Sequence, residues 1–205
     1  MNDAQGQVDA SEVWRSIRAR HPRFRAAVLA DARITAHHRG ERHEFRSGLD
    51  AAVQVLRLMW VSDAFLGHAF YRLKARLQAL GVPVLPRLAH RLAMAVAQIS
   101  IGDPVVMHPG VYIIHGQIVI DGLVEIRQGA VIGPFVTVGL RAGNVVGATI
   151  ETSVTIGTGA KLIGPVRIGE RARIGANAVV VDDVPPGDTV VGVPARSVGE
   201  RSASN

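Results

Sequence analysis

Residues 150–180 read IETSVTIGTGAKLIGPVRIGERARIGANAVV, and this stretch decides the fold. Its large aliphatic residues recur every six positions, at Ile150, Ile156, Leu162, Ile168, Ile174 and Val180. Glycine follows several of them directly, and a second set of small or β-branched residues trails four positions behind. Six is neither the period of a helix nor that of a strand. The pattern predicts short strands and turns stacked as a solenoid, in which each rung buries its aliphatic side chains against the next.

The same period extends towards the N-terminus, with two interruptions. Aliphatic residues continue it at Ile101, Met107 and Ile113 and then at Ile120, Ile126, Ile132 and Val138. The step from Ile113 to Ile120 is seven residues, so one residue is inserted within 115–117, and we expect a polar side chain to be pushed out of the stack there. The aliphatic signal also lapses over residues 139–149. This lapse predicts a projecting loop, and such loops often carry function.

Residues 1–99 show helical periodicity instead. We predict helices over 10–30, 50–60, 63–80 and 85–99, with residues 33–46 forming a polar loop. The solenoid is predicted to occupy residues 100–196, and a flexible tail is expected over 197–205. The sequence therefore predicts a helical N-terminal domain followed by a β-solenoid domain.

Composition narrows the classes of function. The 205 residues contain no cysteine, which excludes disulfides, zinc–thiolate sites and a cysteine nucleophile. No apolar run approaches the roughly 18 residues of a membrane span, and no signal pattern is recognised, so we expect a cytoplasmic protein that does not cross a membrane. The positive charge is concentrated in residues 1–99, which hold 15 Lys and Arg against 8 Asp and Glu. Because no aromatic residues are interleaved with these arginines, nucleic-acid binding is not expected.

Four segments resemble the hexapeptide-repeat acyltransferases, and within them the serine O-acetyltransferase branch. They read IGTGAK at 156–161, IGANAV at 174–179, DDVPPG at 182–187 and VGVPAR at 191–196. The resemblance implies an α+β fold in which a left-handed parallel β-helix of hexapeptide repeats follows the helical domain. It also implies a homotrimer or dimer of trimers that binds acetyl-CoA between adjacent prisms, uses no metal, and transfers the acetyl group directly to an acceptor hydroxyl.

The resemblance also selects His115, which lies on the irregular step of the repeat, as the catalytic residue. An imidazole that titrates near neutrality suits a general base, because it takes the proton from the acceptor hydroxyl as that oxygen attacks the thioester. A surface histidine without a function is the alternative. The family's aspartate that orients this histidine aligns with Ser100, which leaves Asp103 as a candidate substitute.

The acceptor contacts of the family are matched only in part. The family's aspartate before the histidine aligns with Ile114, and its Arg-His pair aligns with Val146-Gly147. A helical-domain aspartate aligns with Asp31, and Arg141 and Asn144 are candidates to replace the missing contacts, because burying a charged amino acid without partners costs several kcal/mol. An acceptor other than serine (a sugar, an amine or another hydroxy compound) stays open, as does a non-catalytic module.

The donor contacts implied by the resemblance are small residues at turns and arginines near the end of the stack. Small residues let the backbone approach an amide-rich arm, and they occur at Gly139, Thr158 and Ala176. Arg173 and Arg196 are candidates for the nucleotide phosphates. The repeat region holds only two histidines, so a zinc site of the three-histidine type found in γ-type carbonic anhydrases is not expected.

Overall fold

The computed structural model describes residues 10–201, which form a helical half followed by a β half. Five helices come first: α1 (Ala10–Arg20), α2 (Phe24–His38), α3 (Gly48–Val61), α4 (Asp63–Ala79) and α5 (Leu85–Ala97). Fifteen short strands follow, and helix α6 (Val198–Arg201) ends the described chain. No helix within the described range is long and apolar enough to cross a membrane.

Three sheets form the faces of the β half, and their strands are parallel except for the last two strands of the third sheet, which are antiparallel. Sheet A contains β1 (Ile99–Ile101), β4 (Ile118–Ile120), β7 (Thr137–Gly139), β10 (Lys161–Ile163) and β13 (Val179–Val180). Sheet B contains β2 (Val106–Met107), β5 (Leu123–Ile126), β8 (Val146–Ile150) and β11 (Arg167–Ile168). Sheet C contains β3 (Tyr112–Ile113), β6 (Val131–Ile132), β9 (Thr155–Ile156), β12 (Arg173–Ile174), β14 (Thr189–Val191) and β15 (Arg196–Ser197). The predicted fold class, helices followed by a parallel β-helix of hexapeptide repeats, is confirmed.

The strand register shows how the sequence period builds the coils. In sheet A, Ile101 pairs with Ile120, Ile120 with Val138, Val138 with Leu162 and Leu162 with Val180. A regular coil is three hexads long, as from Ile120 to Val138. The first coil has one extra residue and the third has six, so the two irregularities of the sequence are a one-residue corner insertion and a loop. Only residues 140–145 of the predicted 139–149 loop lie outside strands.

The predicted single helix over 10–30 is two helices in the structure. Pro22 lies between α1 and α2, and its ring removes a backbone donor and prevents a helix from continuing through it. Helix α2 then extends to His38, into the stretch predicted as a loop. The polar composition of this stretch did not indicate that α2 has a buried inner face, which consists of Ala27, Asp31, Ala32, Thr35 and Ala36.

Helix α4 caps the open edge of the first coil. Many backbone N–H groups of each coil donate to carbonyls of the next, as Gly102 does to Ile120 (2.8 Å), so the carbonyls at the corresponding positions of the first coil have no preceding coil to supply a donor. Side chains of α4 supply the donors instead. The Tyr71 hydroxyl donates to the Val105 carbonyl (2.8 Å), and the Lys74 ammonium donates to the Ile101 carbonyl (2.5 Å). These buried bonds join the two halves, since an unpaired buried carbonyl is costly.

The C-terminal segment is ordered further than predicted. Strand β15 runs antiparallel to β14, with Ser197 opposite Val190, and α6 follows at once. The predicted tail over 197–205 therefore begins inside described structure, and its residues 202–205 lie outside the described range.

Candidate active site

His115 lies at the corner where sheet C passes into sheet A, in the turn that joins β3 to β4. This corner contains the inserted residue, and Gln117 adopts a positive φ of 65° there. The Gln117 N–H donates to the Ala97 carbonyl at the end of α5 (3.0 Å). Gly116 fits beneath α5 because it lacks a side chain, since a Cβ there would overlap the Ala97 oxygen. The insertion and the helix end together hold His115 at the surface, where its side chain is exposed.

A cleft of about 390 Å³ opens beside His115. One wall is the corner at residues 114–117, and the other is the junction of α3 and α4 at residues 61–64 together with the last residues of α5. The His115 imidazole makes no hydrogen bond to any residue within 10–201. Its ring nitrogens are therefore available to a group that enters the cleft.

Neither Ser100, which stands where the family has its orienting aspartate, nor the candidate substitute Asp103 lines this cleft. Ser100 lies beside Val119 on the outer face of sheet A, and both Ser100 and Asp103 line a different cleft beneath α5. The Asp103 carboxylate pairs with the Lys74 ammonium at 2.9 Å. Although partial burial raises the pKa of Asp103, the Lys74 ammonium holds that pKa below its usual value. Asp103 is therefore committed to Lys74, and the structure does not support it as the group that orients His115.

Asp31 was predicted to bind the acceptor, but it lies outside the cleft and is buried. Its carboxylate accepts hydrogen bonds from Arg72 Nε (2.8 Å) and Nη2 (3.2 Å). It also accepts from the backbone N–H groups of Gly110 (2.8 Å) and Val111 (3.3 Å). Because these four donors occupy both carboxylate oxygens, the acceptor-binding role predicted for Asp31 is replaced by a structural one. The carboxylate ties α2 and α4 to the first coil.

The two predicted loop residues lie at the opposite edge of sheet A from His115. Arg141 donates to the Val181 carbonyl, and the Asn144 side-chain oxygen accepts from the Val146 N–H (2.8 Å). Neither residue lines the His115 cleft of the same chain.

Two charged residues in the cleft were not predicted from the sequence. Asp63 begins α4 and Arg39 directly follows α2, and both line the cleft with His115. Asp63 is exposed and has no ion-pair partner within residues 10–201, while Arg39 Nε donates to Glu41 (2.9 Å) and leaves its Nη groups unused. Ser62 before Asp63 is a recognisable helix N-cap, accepting from the Phe65 N–H (3.3 Å). The N-cap at Ser62 predicts that a helix starts there, but it does not indicate that this helix start faces the corner at His115, about 50 residues later in the sequence.

The predicted coenzyme contacts Thr158 and Ala176 lie in one column with His115. Sheet C pairs Ile113, Ile132, Ile156 and Ile174 in register, and His115, Pro134, Thr158 and Ala176 each stand two residues further on. Strand spacing of about 4.8 Å separates the first of these corners from the fourth by roughly 14 Å. Both Thr158 and Ala176 are exposed, so the column forms an open track that leads away from His115.

The remaining predicted coenzyme residues divide between this track and the other edge of sheet A. Arg173 is exposed in β12, in the same coil as Ala176, and Arg196 follows in β15 at the end of sheet C. Arg196 is 3.5 Å from Asp182. Gly139 ends β7 and belongs to the edge that carries the loop, so this chain does not bring it to the column.

Within the described residues, no group of three or more His, Asp or Glu side chains is arranged to hold a metal ion. The other repeat-region histidine, His108, is hydrogen-bonded to Glu125 at 3.0 Å.

Comparison with known proteins identifies a matching family model and several relatives of this chain. The model of the bacterial transferase hexapeptide family (six repeats) matches residues 147–182. A serine acetyltransferase of Mycobacterium tuberculosis is 39% identical over 145 residues, which are 69% of this chain and 62% of that protein. One of Helicobacter pylori strain J99 is 35% identical over 132 residues, which are 62% of this chain and 77% of that protein. The chain thus spans 62% of the length of the M. tuberculosis relative.

Solved structures agree with the relatives on the fold. The serine acetyltransferase of Brucella abortus strain S19 superimposes with a TM-score of 0.72 at 21% identity, covering 91% of this chain and 73% of that one. A serine acetyltransferase in complex with CoA gives a TM-score of 0.62 at 25% identity, covering 91% of this chain and 74% of that one.

Proposed function

The chain belongs to the serine acetyltransferase family of hexapeptide-repeat transferases, and we propose that it is an acetyl-CoA-dependent O-acetyltransferase. The observation that carries the proposal is the position of His115, in a charged cleft at the head of the exposed corner column. The named relatives support the activity, and the similar structure in complex with CoA supports the donor.

In the proposed reaction His115 acts as general base. Its imidazole takes the proton from the acceptor hydroxyl while that oxygen attacks the acetyl carbonyl of the thioester. The tetrahedral intermediate then collapses, the carbon–sulfur bond breaks, and the thiolate of CoA takes the proton from the imidazolium. The acetyl group passes directly to the acceptor, so no covalent enzyme intermediate forms.

The donor is proposed to lie along the corner column. With its thioester at His115, the pantetheine arm passes the exposed corners at Thr158 and Ala176, where small side chains leave the backbone accessible. The nucleotide phosphates then approach Arg173 and Arg196, whose guanidinium groups suit phosphate oxygens. This direction follows from the order of the coils along the stack.

For the acceptor, we infer that Asp63 and Arg39 take the place of the family contacts that this sequence lacks. A carboxylate and a guanidinium in the same cleft complement the ammonium and carboxylate of a hydroxy amino acid, which favours L-serine. A different acceptor is favoured by Ile114, an apolar residue that is 36% exposed directly beside His115. A hydroxy compound without an ammonium group is therefore the second candidate.

Replacement of the base tests the activity. We expect His115→Ala to lower kcat by roughly 10²–10⁴-fold while calorimetry shows unchanged CoA binding, because only the proton transfer is removed. The matched control is His108→Gln, which changes the other repeat-region histidine and should leave kcat within a few-fold. An unchanged kcat in His115→Ala would contradict the assignment of the base.

Steady-state kinetics with L-serine and a panel of neutral hydroxy compounds tests the acceptor. For a zwitterionic acceptor, Asp63→Asn and Arg39→Gln should each raise KM for L-serine at least about tenfold, since each removes one charge-assisted contact. The exposed control Glu44→Gln should not. Saturation by a neutral compound but not by L-serine would transfer the proposal to the second candidate.

We also propose that the chain assembles as a homotrimer or a dimer of trimers. Helix α3 supports assembly, because its apolar residues at i, i+4, i+7 and i+11 are exposed, namely Leu49, Val53, Leu56 and Trp60.

If Arg141 serves the His115 cleft of a neighbouring copy, mixed oligomers of inactive His115→Ala and Arg141→Ala chains regain activity, because some sites then contain both side chains. Sedimentation of the purified protein gives the number of copies, and a monomer would refute the proposal.

We also propose a cytoplasmic location, as the sequence analysis led us to expect, and fractionation of cells tests it.

A further inference from the structure

A second pocket, lined by arginines, lies between α1, α2 and α4 and is separate from the His115 cleft. Its volume is about 160 Å³. Arg18 reaches it from α1, Arg23 from the turn before α2, and Arg76 from α4, while the buried Arg72 lies behind them. None of the residues that line it is acidic. We call it the basic pocket.

The three outer arginines of the basic pocket lack partners. Arg18, Arg23 and Arg76 are exposed, and none of them forms an ion pair or a side-chain hydrogen bond within residues 10–201. Neighbouring arginines behave differently, because Arg20 pairs with Glu125 at 3.2 Å and Arg72 pairs with Asp31. Like charges that converge on one concavity repel each other, and a bound anion relieves that repulsion.

Three further lining residues, His21, Ala75 and Ala79, are compatible with a bound anion. His21 faces the pocket, and burial together with the charges of Arg72, Lys74 and Arg20 lowers its pKa to about 4. The imidazole is therefore neutral at physiological pH, and its N–H is a donor that carries no charge. Ala75 and Ala79 of α4 line the pocket with methyl groups and leave the space between the guanidinium groups open.

We propose that the basic pocket binds a phosphate group, either inorganic phosphate or the phosphate of a small monoester. Three guanidinium groups from three segments match the several oxygens of a tetrahedral anion, since each presents paired donors in a planar fork. The pocket is built from elements that do not contribute to the corner column, so this anion is distinct from the phosphates of a coenzyme near Arg173. Because one arginine comes from α1, a bound anion also holds α1 against α2 and α4.

Titration calorimetry with inorganic phosphate and, in a second arm, with glycerol 3-phosphate tests the proposal at constant ionic strength. We expect saturable binding of one anion per chain, with sodium chloride at the same ionic strength giving no such heat. Arg18→Gln and Arg76→Gln should each weaken the affinity at least about tenfold, because each removes a charged contact from one wall. The tighter of the two anions identifies the source of the phosphate group, and equal affinities assign recognition to that group alone.

Two control variants separate this pocket from other arginines. Arg15→Gln removes an exposed arginine of α1 that does not line the pocket, and Arg173→Gln removes the one expected near the coenzyme. Neither should change phosphate affinity. The proposal is overturned if binding does not saturate, if Arg18→Gln and Arg76→Gln bind as tightly as the parent, or if Arg173→Gln alone abolishes binding. A circular dichroism spectrum of each variant establishes that it is folded.

Discussion

Replacement of Asp31 by asparagine tests the account of how the two halves are joined. The change keeps the size of the side chain and one oxygen, so the Gly110 and Val111 N–H groups retain an acceptor. The second oxygen becomes an amide NH₂ that faces the Arg72 guanidinium, which now has no counter-charge in a site where both side chains are 2% exposed. Breaking a buried ion pair from one side costs about 3–5 kcal/mol, because the remaining charge stays buried without compensation.

The matched control is Arg20→Gln, which removes an ion pair across the same junction. Arg20 bonds to Glu125 of β5 at 3.2 Å, but its side chain is 46% exposed. A solvent-exposed pair of this kind contributes at most about 1 kcal/mol. The two variants should therefore differ by at least about 2 kcal/mol, which is about a 30-fold difference in the unfolding equilibrium constant.

Urea denaturation followed by circular dichroism measures this difference, with all proteins at one concentration so that assembly contributes equally. We expect the midpoint of Asp31→Asn to fall well below those of the parent and Arg20→Gln. If Asp31→Asn and Arg20→Gln unfold at the same urea concentration, the buried carboxylate does not hold the helices on the first coil, and the reasoning is refuted.

Three further perturbations follow from single features of the structure. His68 is fully buried, and burial lowers its pKa to about 4, whereas in the unfolded chain its pKa is near 6.5. Because the unfolded chain binds more protons between these values, the contribution of His68 to stability is present above pH 6.5 and should fall by up to roughly 3 kcal/mol towards pH 4. Denaturation midpoints measured across this pH range should depend less on pH in His68→Gln than in the parent. Gly116→Ala places a Cβ on the Ala97 carbonyl, so it should lower the free energy of unfolding by about 3 kcal/mol or more and also reduce activity. The control is Gly48→Ala, whose Cβ would meet its nearest neighbour at 3.9 Å and which should change thermal unfolding little. Ile120→Ala removes a side chain of 0% exposure from the centre of the stack and should cost about 2–5 kcal/mol by denaturation, a result that a change below 1 kcal/mol would contradict.

The sequence predicted the β half well because each hexad repeats the same local requirement. One aliphatic position per face must point inward, so the period specifies the register of neighbouring coils directly. The helical half was less predictable, because helix bounds depend on tertiary burial. The extension of α2 to His38 is accompanied by the burial of Thr35 and by the hydrogen bonds of Asp31 to the first coil, which no local pattern reveals.

The candidate site was likewise predicted only in part, with its β residues anticipated and its helical residues missed. The family resemblance selected His115, Thr158 and Ala176, and the repeat places all three in one column. The residues that face His115 across the cleft, Asp63 and Arg39, come from the ends of helices far away in sequence, so only the packed structure brings them together. Asp31 aligned with a residue of the family, but alignment does not report that its oxygens are already occupied.

The cleft lies beside His115 because the corner column meets helix α5 at its first corner. At two of the later corners the carbonyl accepts a backbone N–H from the next coil: Pro134 accepts from Gly159 and Thr158 accepts from Asn177, both at 2.8 Å. At the first corner the Gln117 N–H instead meets the Ala97 carbonyl, so the last turn of α5 occupies the place that a preceding coil would have. The inserted residue accommodates this change from coil to helix, and it leaves His115 outside the regular stack. The proposed general base is thereby positioned where the corner column, proposed to bind the donor, meets the helix ends that form the acceptor side of the cleft. Substitutions at helix ends such as Asp63 can therefore change acceptor specificity without disturbing the coils.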